Sequence, residues 1–194
     1  MRKATIHRST RETRIDITFV IDGTGTSEID TGVAFLDHVL SSFARHGLFD
    51  LTISATGDLE LGDHHLVEDI GIVLGQAISE SLGDHAGIAR FADIRVPMDE
   101  AIASAVLDLS GRSYLVFDVD FSSDVVGDLT TQMVSHLFHS LAGNAGINAH
   151  ISAQGENDHH LIEAIFKAFG IALARAATIE RSDIPSTKGM LTQT

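Results

Sequence analysis

Ile15, Ile17, Phe19 and Ile21 alternate with polar or small residues. A period of two puts one set of side chains on one face, so this run predicts a half-buried strand. Residues 4–8 and 27–30 give weaker strand signals, and Gly23 and Gly25 mark the turn between strands. Leu36, Val39, Leu40 and Phe43 then recur at helical spacing, with Gly47 as the expected stop. Leu51, Ile53 and Ala55 alternate as a further strand. Leu66, Ile70, Val73, Leu74 and Ile78 follow on one helical face, and Asp63 is the expected N-cap. The order is three strands, helix, strand, helix.

The second half repeats that order. A short strand is expected around Arg95, and another over residues 103–109. Gly111 turns the chain into the alternating run Leu115, Phe117, Val119 and Phe121. A helix is expected over residues 129–141, a strand over 147–153, and a last helix opened by Asp158. Particular residues repeat as well. At an offset of 98, His38 falls on His136, Gly57 on Gly155, and Ile53-Ser54-Ala55 on Ile151-Ser152-Ala153. At an offset of 95, Asp63-His64-His65-Leu66-Val67-Glu68 falls on Asp158-His159-His160-Leu161-Ile162-Glu163. The expectation is an α+β fold made of a duplicated two-layer unit, helices gathered on one face of each sheet. Residues 1–92 form the first half. Residues 93–194 form the second half with a C-terminal tail, and the two make one globular unit.

Composition narrows the function. The chain has 194 residues, is 44% apolar and contains two prolines, so it can bury a sizeable core. It has no cysteine, which excludes disulfides and thiolate metal sites and fits a cytoplasmic location. It has no long apolar run, and Met1-Arg2-Lys3-Ala4-Thr5 lacks the apolar core of a signal peptide. The net charge of −14 makes nucleic acid and anionic membranes poor partners.

The eleven histidines change the picture most. A His and a Glu four residues on share one helical face, so His64 pairs with Glu68 and His159 with Glu163. His65 and His160 point about 100° away. With His38 and His136, each half offers three imidazoles and one carboxylate, which suits two divalent transition-metal ions. Each site would take a His/Glu pair from one helix, the off-axis His of the other, and either His38 or His136. Open positions on such ions mark catalytic sites. A surface or capping role would suffice for one His-His pair, but it does not account for two copies with the same flanks. His7, His46, His85, His139 and His150 lack the paired arrangement and read as ordinary histidines.

Several motifs together resemble the imidazoleglycerol-phosphate dehydratase family of histidine biosynthesis. They are Phe35-Leu36-Asp37-His38, the two His-His stretches, Pro97-Met98-Asp99-Glu100-Ala101, Asp108-Leu109-Ser110-Gly111-Arg112, and Glu163-Ala164-Ile165-Phe166-Lys167-Ala168. The likeness runs from Arg8 to Gly189. It implies a hydro-lyase with two Mn2+ per chain that turns imidazole glycerol phosphate into imidazole acetol phosphate and water. It implies a fold like the second domain of a small-ribosomal-subunit protein. It also implies a homo-oligomer, a twenty-four-subunit shell of cubic symmetry with active sites between subunits. One ion on each ring nitrogen would favour an imidazolate and make the ring an electron sink.

By the same resemblance Glu12 is an acid/base or substrate-positioning residue, whereas alone it reads as a solvated edge carboxylate. Glu68 and Glu163 are weaker candidates for the base. Arg90, Arg112, Ser186 and Lys188 match phosphate-gripping positions, and Arg and Lys suit that task as fork and point charge. Two rivals stay open: a dinuclear metallohydrolase using the same ligands, and a metal-storage protein without catalysis.

Overall fold

The computed structural model describes residues 1–186. The first half contains strands β1 (Lys3–Ser9), β2 (Thr13–Val20) and β3 (Ser27–Asp30), helix α1 (Ala34–Gly47), strand β4 (Asp50–Gly57) and helix α2 (His64–Leu82). The second contains β5 (Phe91–Met98), β6 (Ala101–Asp108), β7 (Tyr114–Asp118), the short hairpin β8 (Val125–Val126) and β9 (Leu129–Thr130), α3 (Thr131–Ala145), β10 (Asn148–Gln154) and α4 (Asp158–Ala176). The sheets have the same order, β1-β2-β4-β3 and β5-β6-β10-β7. In each, the last two strands of that order are parallel and the other pairings antiparallel. Parallel neighbours need a long crossover, and α1 and α3 supply it. This is the expected duplicated α+β unit.

Each sheet turns one face to water and the other to helices, as the alternation in β4 and β10 shows. Between the sheets α2 packs on α3 and α1 on α4, so every helix pair joins the two halves. The core is therefore one continuous cluster. Phe43, Phe169 and Phe138 run through it, with ring centroids 6.2 and 5.0 Å apart. Each fully buried Phe contributes about 1.5–3 kcal/mol.

Small residues set the helix spacing. A methyl group at Gly75 would lie 2.5 Å from the Leu141 carbonyl oxygen, and one at Gly170 2.6 Å from that of Phe43. Gly47 is the last residue of α1, but close approach explains it. A Cβ there would meet the Phe49 ring at 2.2 Å, and the left-handed residue at the helix end is Leu48, with φ 57°.

Three local expectations need correction. Asp63 and Asp158 do not cap their own helices. Asp63 accepts from the backbone N–H and hydroxyl of Thr130, and Asp158 from Ser122 and Ser123, while Asn157 caps α4. Both carboxylates thus hold the second-half loops around residues 122–130 onto the helices. The strand expected through Phe121 ends at Asp118, where its parallel pairing with β10 ends. The start of the expected 129–141 helix is strand β9, and α3 begins at Thr131.

Candidate metal centre

The crossed helix packing brings the histidines together. His64 and Glu68, in the first turns of α2, meet His136 of α3. His159 and Glu163 of α4 meet His38 of α1. Each group therefore draws its pair from one half and its third member from the other. In each, one ligand atom per residue lies within 4.8 Å of the others. His38 Nε2 stands 3.0 Å and His159 Nε2 3.2 Å from Glu163 Oε2. His64 Nε2 stands 3.5 Å from Glu68 Oε2, with the His64 and His136 rings 5.1 Å apart. Phe35 packs against the His159 ring at 4.9 Å, and its backbone N–H is capped across the halves by Asp128.

The groups are not identical. Glu163 is buried, which raises its pKa. Lys167 at 2.7 Å and the His38 hydrogen bond outweigh burial and hold the carboxyl down to about 2. Glu68 is half exposed, and Ile72 occupies the position corresponding to Lys167.

His65 and His160 join neither group. His65 Nδ1 lies 3.0 Å from Asp58 Oδ2, a hydrogen bond that pushes the imidazole pKa up. His160 Nδ1 lies 2.8 Å from Glu100 Oε2. The His160 bond first, and the Asn157 N–H second, hold Glu100 down to about 2. The rotation of about 100° between consecutive helical residues separates these rings from His64 and His159.

Glu12 sits in the turn between β1 and β2. It lines an open cleft of about 380 Å³ with Asp58 and Thr10, and its carboxylate has no hydrogen bond among the described residues. Arg112 is exposed between β6 and β7 and is also without a partner among the described residues. Arg90 has φ 76° and is held by Asp108, at 2.7 and 3.1 Å, and by the Pro185 carbonyl at 2.7 Å. That places it next to Ser186 in the chain's fold-back. Lys188 lies outside the described residues.

Reading the sequence alone passes over Asp58, Glu100 and Lys167. Glu100 and Lys167 lie inside the motifs shared with the family, and Asp58 follows the repeated Gly57, so the signals were motif membership for the first two and nearness to the repeat for the third.

The profile of imidazoleglycerol-phosphate dehydratase matches residues 31–173. That span contains both groups complete. The chain belongs to the imidazoleglycerol-phosphate dehydratase family. It is accordingly an enzyme, a hydro-lyase. The imidazoleglycerol-phosphate dehydratase of Methanococcoides burtonii is 58% identical, over 98% of this chain and 100% of its own. That of Chlorobium luteolum is 52% identical, over 98% and 96%. Among solved structures, the dehydratase from Pyrococcus furiosus, in complex with (S)-C348, matches with TM-score 0.84 at 37% identity, over 96% and 100%. The Staphylococcus aureus dehydratase matches with TM-score 0.83 at 40% identity, over 91% and 99%. No helix among the described residues is long and apolar enough to cross a membrane.

Proposed function

We propose that the chain dehydrates imidazole glycerol phosphate to imidazole acetol phosphate in histidine biosynthesis, with two divalent ions, manganese in the favoured reading. The observation that carries this is the pair of two-histidine, one-carboxylate groups, each spanning both halves, on a chain of this family. The donors fit such an ion: imidazole nitrogen and carboxylate oxygen on facing helices, with no thiolate to select a softer metal. His38, His159 and Glu163 would hold one ion, and His64, Glu68 and His136 the other. Bound ions would place positive charge beside the ring nitrogens and make the imidazole an electron sink.

The chain's own groups do the rest. Lys167 keeps Glu163 ionised and fixed in place as a ligand. That commitment removes it from proton transfer. Glu12 is the better acid/base group: its carboxylate is exposed, accepts no hydrogen bond among the described residues and acts electrostatically on His65. Arg112, Ser186 and Lys188 grip the phosphate. Arg90 anchors the segment carrying Ser186 and has N–H donors to spare. His65 and His160 complete the ion sites of neighbouring copies in a closed shell of twenty-four subunits, in the cytoplasm.

The test is an assay of metal-stripped protein with imidazole glycerol phosphate, following ketone formation as Mn2+ is restored. Elemental analysis runs alongside. The expected result is ketone, no free phosphate, and about two ions per chain. Phosphate release without ketone would favour the hydrolase rival, and many ions per chain without turnover would favour storage.

A further inference from the structure

His65 and His160 each present Nδ1 to a carboxylate, Asp58 at 3.0 Å and Glu100 at 2.8 Å. An ionised carboxylate only accepts, so Nδ1 carries the hydrogen, and in the neutral ring Nε2 is left with the lone pair. Neither ring is buried; the side chains are 40% and 24% exposed. The nearest acid to His160 Nε2 is Asp99 at 3.7 Å, too far for a hydrogen bond. Both rings are therefore set in one tautomer, with the free nitrogen on the opposite edge.

The two carboxylates come from non-equivalent places. Thr13 pairs with Gly57, and Ala101 lies against Gly155, the repeat partner of Gly57. Thr13 and Ala101 are thus counterparts, and so are the preceding Glu12 and Glu100. Glu100 is fully engaged, binding His160 and accepting from the N–H groups of Glu156 and Asn157 at 3.2 and 2.9 Å. In the first half Asp58, from the far end of β4, holds the histidine instead. The same local geometry arises twice from different parts of the fold, and the Glu12 carboxylate acts on His65 only through its charge, with no hydrogen bond among the described residues.

We propose that Asp58 and Glu100 are positioning residues that lock His65 and His160 as Nδ1–H tautomers, presenting Nε2 as a metal donor to a neighbouring copy. This rests on the reading of those two histidines as metal ligands. Carboxylates that orient a ligating imidazole typically change metal affinity 10–100-fold when removed.

The experiment titrates metal-stripped protein with Mn2+, counting free ion by its electron paramagnetic resonance. Asp58→Ala, Asp58→Asn and Glu100→Gln should each weaken binding about 10–100-fold, in stripped protein whose circular dichroism shows it folded. Asp58→Glu and Glu100→Asp should restore part of the loss. In a His65→Ala background, Asp58→Ala should add nothing, because the ring it orients is gone. If His65→Ala weakens Mn2+ binding but the carboxylate variants do not, the positioning proposal fails alone. It fails alone too if the Asp58→Ala and His65→Ala losses simply add. If His65→Ala leaves Mn2+ affinity and stoichiometry untouched, the ligand reading and this proposal fall together.

Discussion

Gly75→Ala tests whether helix packing sets the metal geometry. Its methyl would stand 2.5 Å from the Leu141 carbonyl oxygen, where ordinary contact begins at 3.4 Å. The α2 and α3 backbones must therefore part by about 0.9 Å at that point. The opposing atom is backbone, so no rotamer change relieves the clash. Overpacking of this kind costs about 1–3 kcal/mol, and a rigid neighbour favours the upper end. The better helix propensity of Ala returns about 1 kcal/mol. A net loss of about 2 kcal/mol follows. Adding Gly71→Ala, where the clash is with Leu137 at 2.7 Å, should cost less than its single value because the helices have already moved. The shift also draws His136 on α3 away from His64 and Glu68 on α2. Urea unfolding of stripped protein at fixed concentration reads the first effect, and a Mn2+ titration resolving two classes of site reads the second. The α2–α3 class should weaken the more, since His38, His159 and Glu163 sit on α1 and α4. A variant as stable as the parent, or an equal loss at both classes, would refute the reasoning.

Glu12→Gln should lower kcat about 10²–10⁴-fold with Mn2+ content unchanged, as loss of an acid/base group does; a change confined to KM in steady-state kinetics would make Glu12 a binding residue. Lys188→Ala should raise KM about ten-fold or more with metal content unchanged, since a charge-assisted contact contributes about 1.5–3 kcal/mol. The Glu163 carboxyl is lowered from 4.5 to about 2. Its contribution to the stability of stripped protein is thus full above the unfolded pKa and is lost as pH falls from 4.5 toward 2. Glu163→Gln should flatten that part of the curve of unfolding free energy against pH. Activity of the loaded enzyme should also fall on acidification, because protonated imidazole cannot bind metal.

The elements were legible because their signals are local and periodic. The alternation of Ile15 to Ile21 and the spacing of Leu66 to Ile78 each report one buried face. The repeat made the ligand inventory legible for the same reason, as a helix fixes which of two adjacent histidines shares a face with a glutamate four residues on. The sequence left open whether His38 or His136 joins a given pair. That choice depends on α2 packing against α3 rather than α1, a contact between residues far apart in the chain. Capping was misread for a related reason. Asp63 and Asp158 could satisfy their own helix N–H groups, but Thr130, Ser122 and Ser123 offered better-placed donors from another segment. Asp58 and Glu100 look like any surface acid until the fold sets them against an imidazole.

The arithmetic of donors bears on assembly. Two groups of three ligands close within one chain, and two oriented histidines remain over. A helix cannot turn His65 onto the ion of His64 without unwinding the first turn of α2, because consecutive side chains diverge by about 100°. The spare rings must serve elsewhere or nowhere. If they serve as proposed, each chain gives two donors and lacks two, so donors and vacancies match only when every copy both gives and receives. An open chain of copies always leaves an unfilled group at one end and an unused histidine at the other. Closed symmetry removes both ends. On the proposed ligand reading any closed arrangement of copies, a two-fold pair included, satisfies the ligand count, and metal binding would then be coupled to assembly.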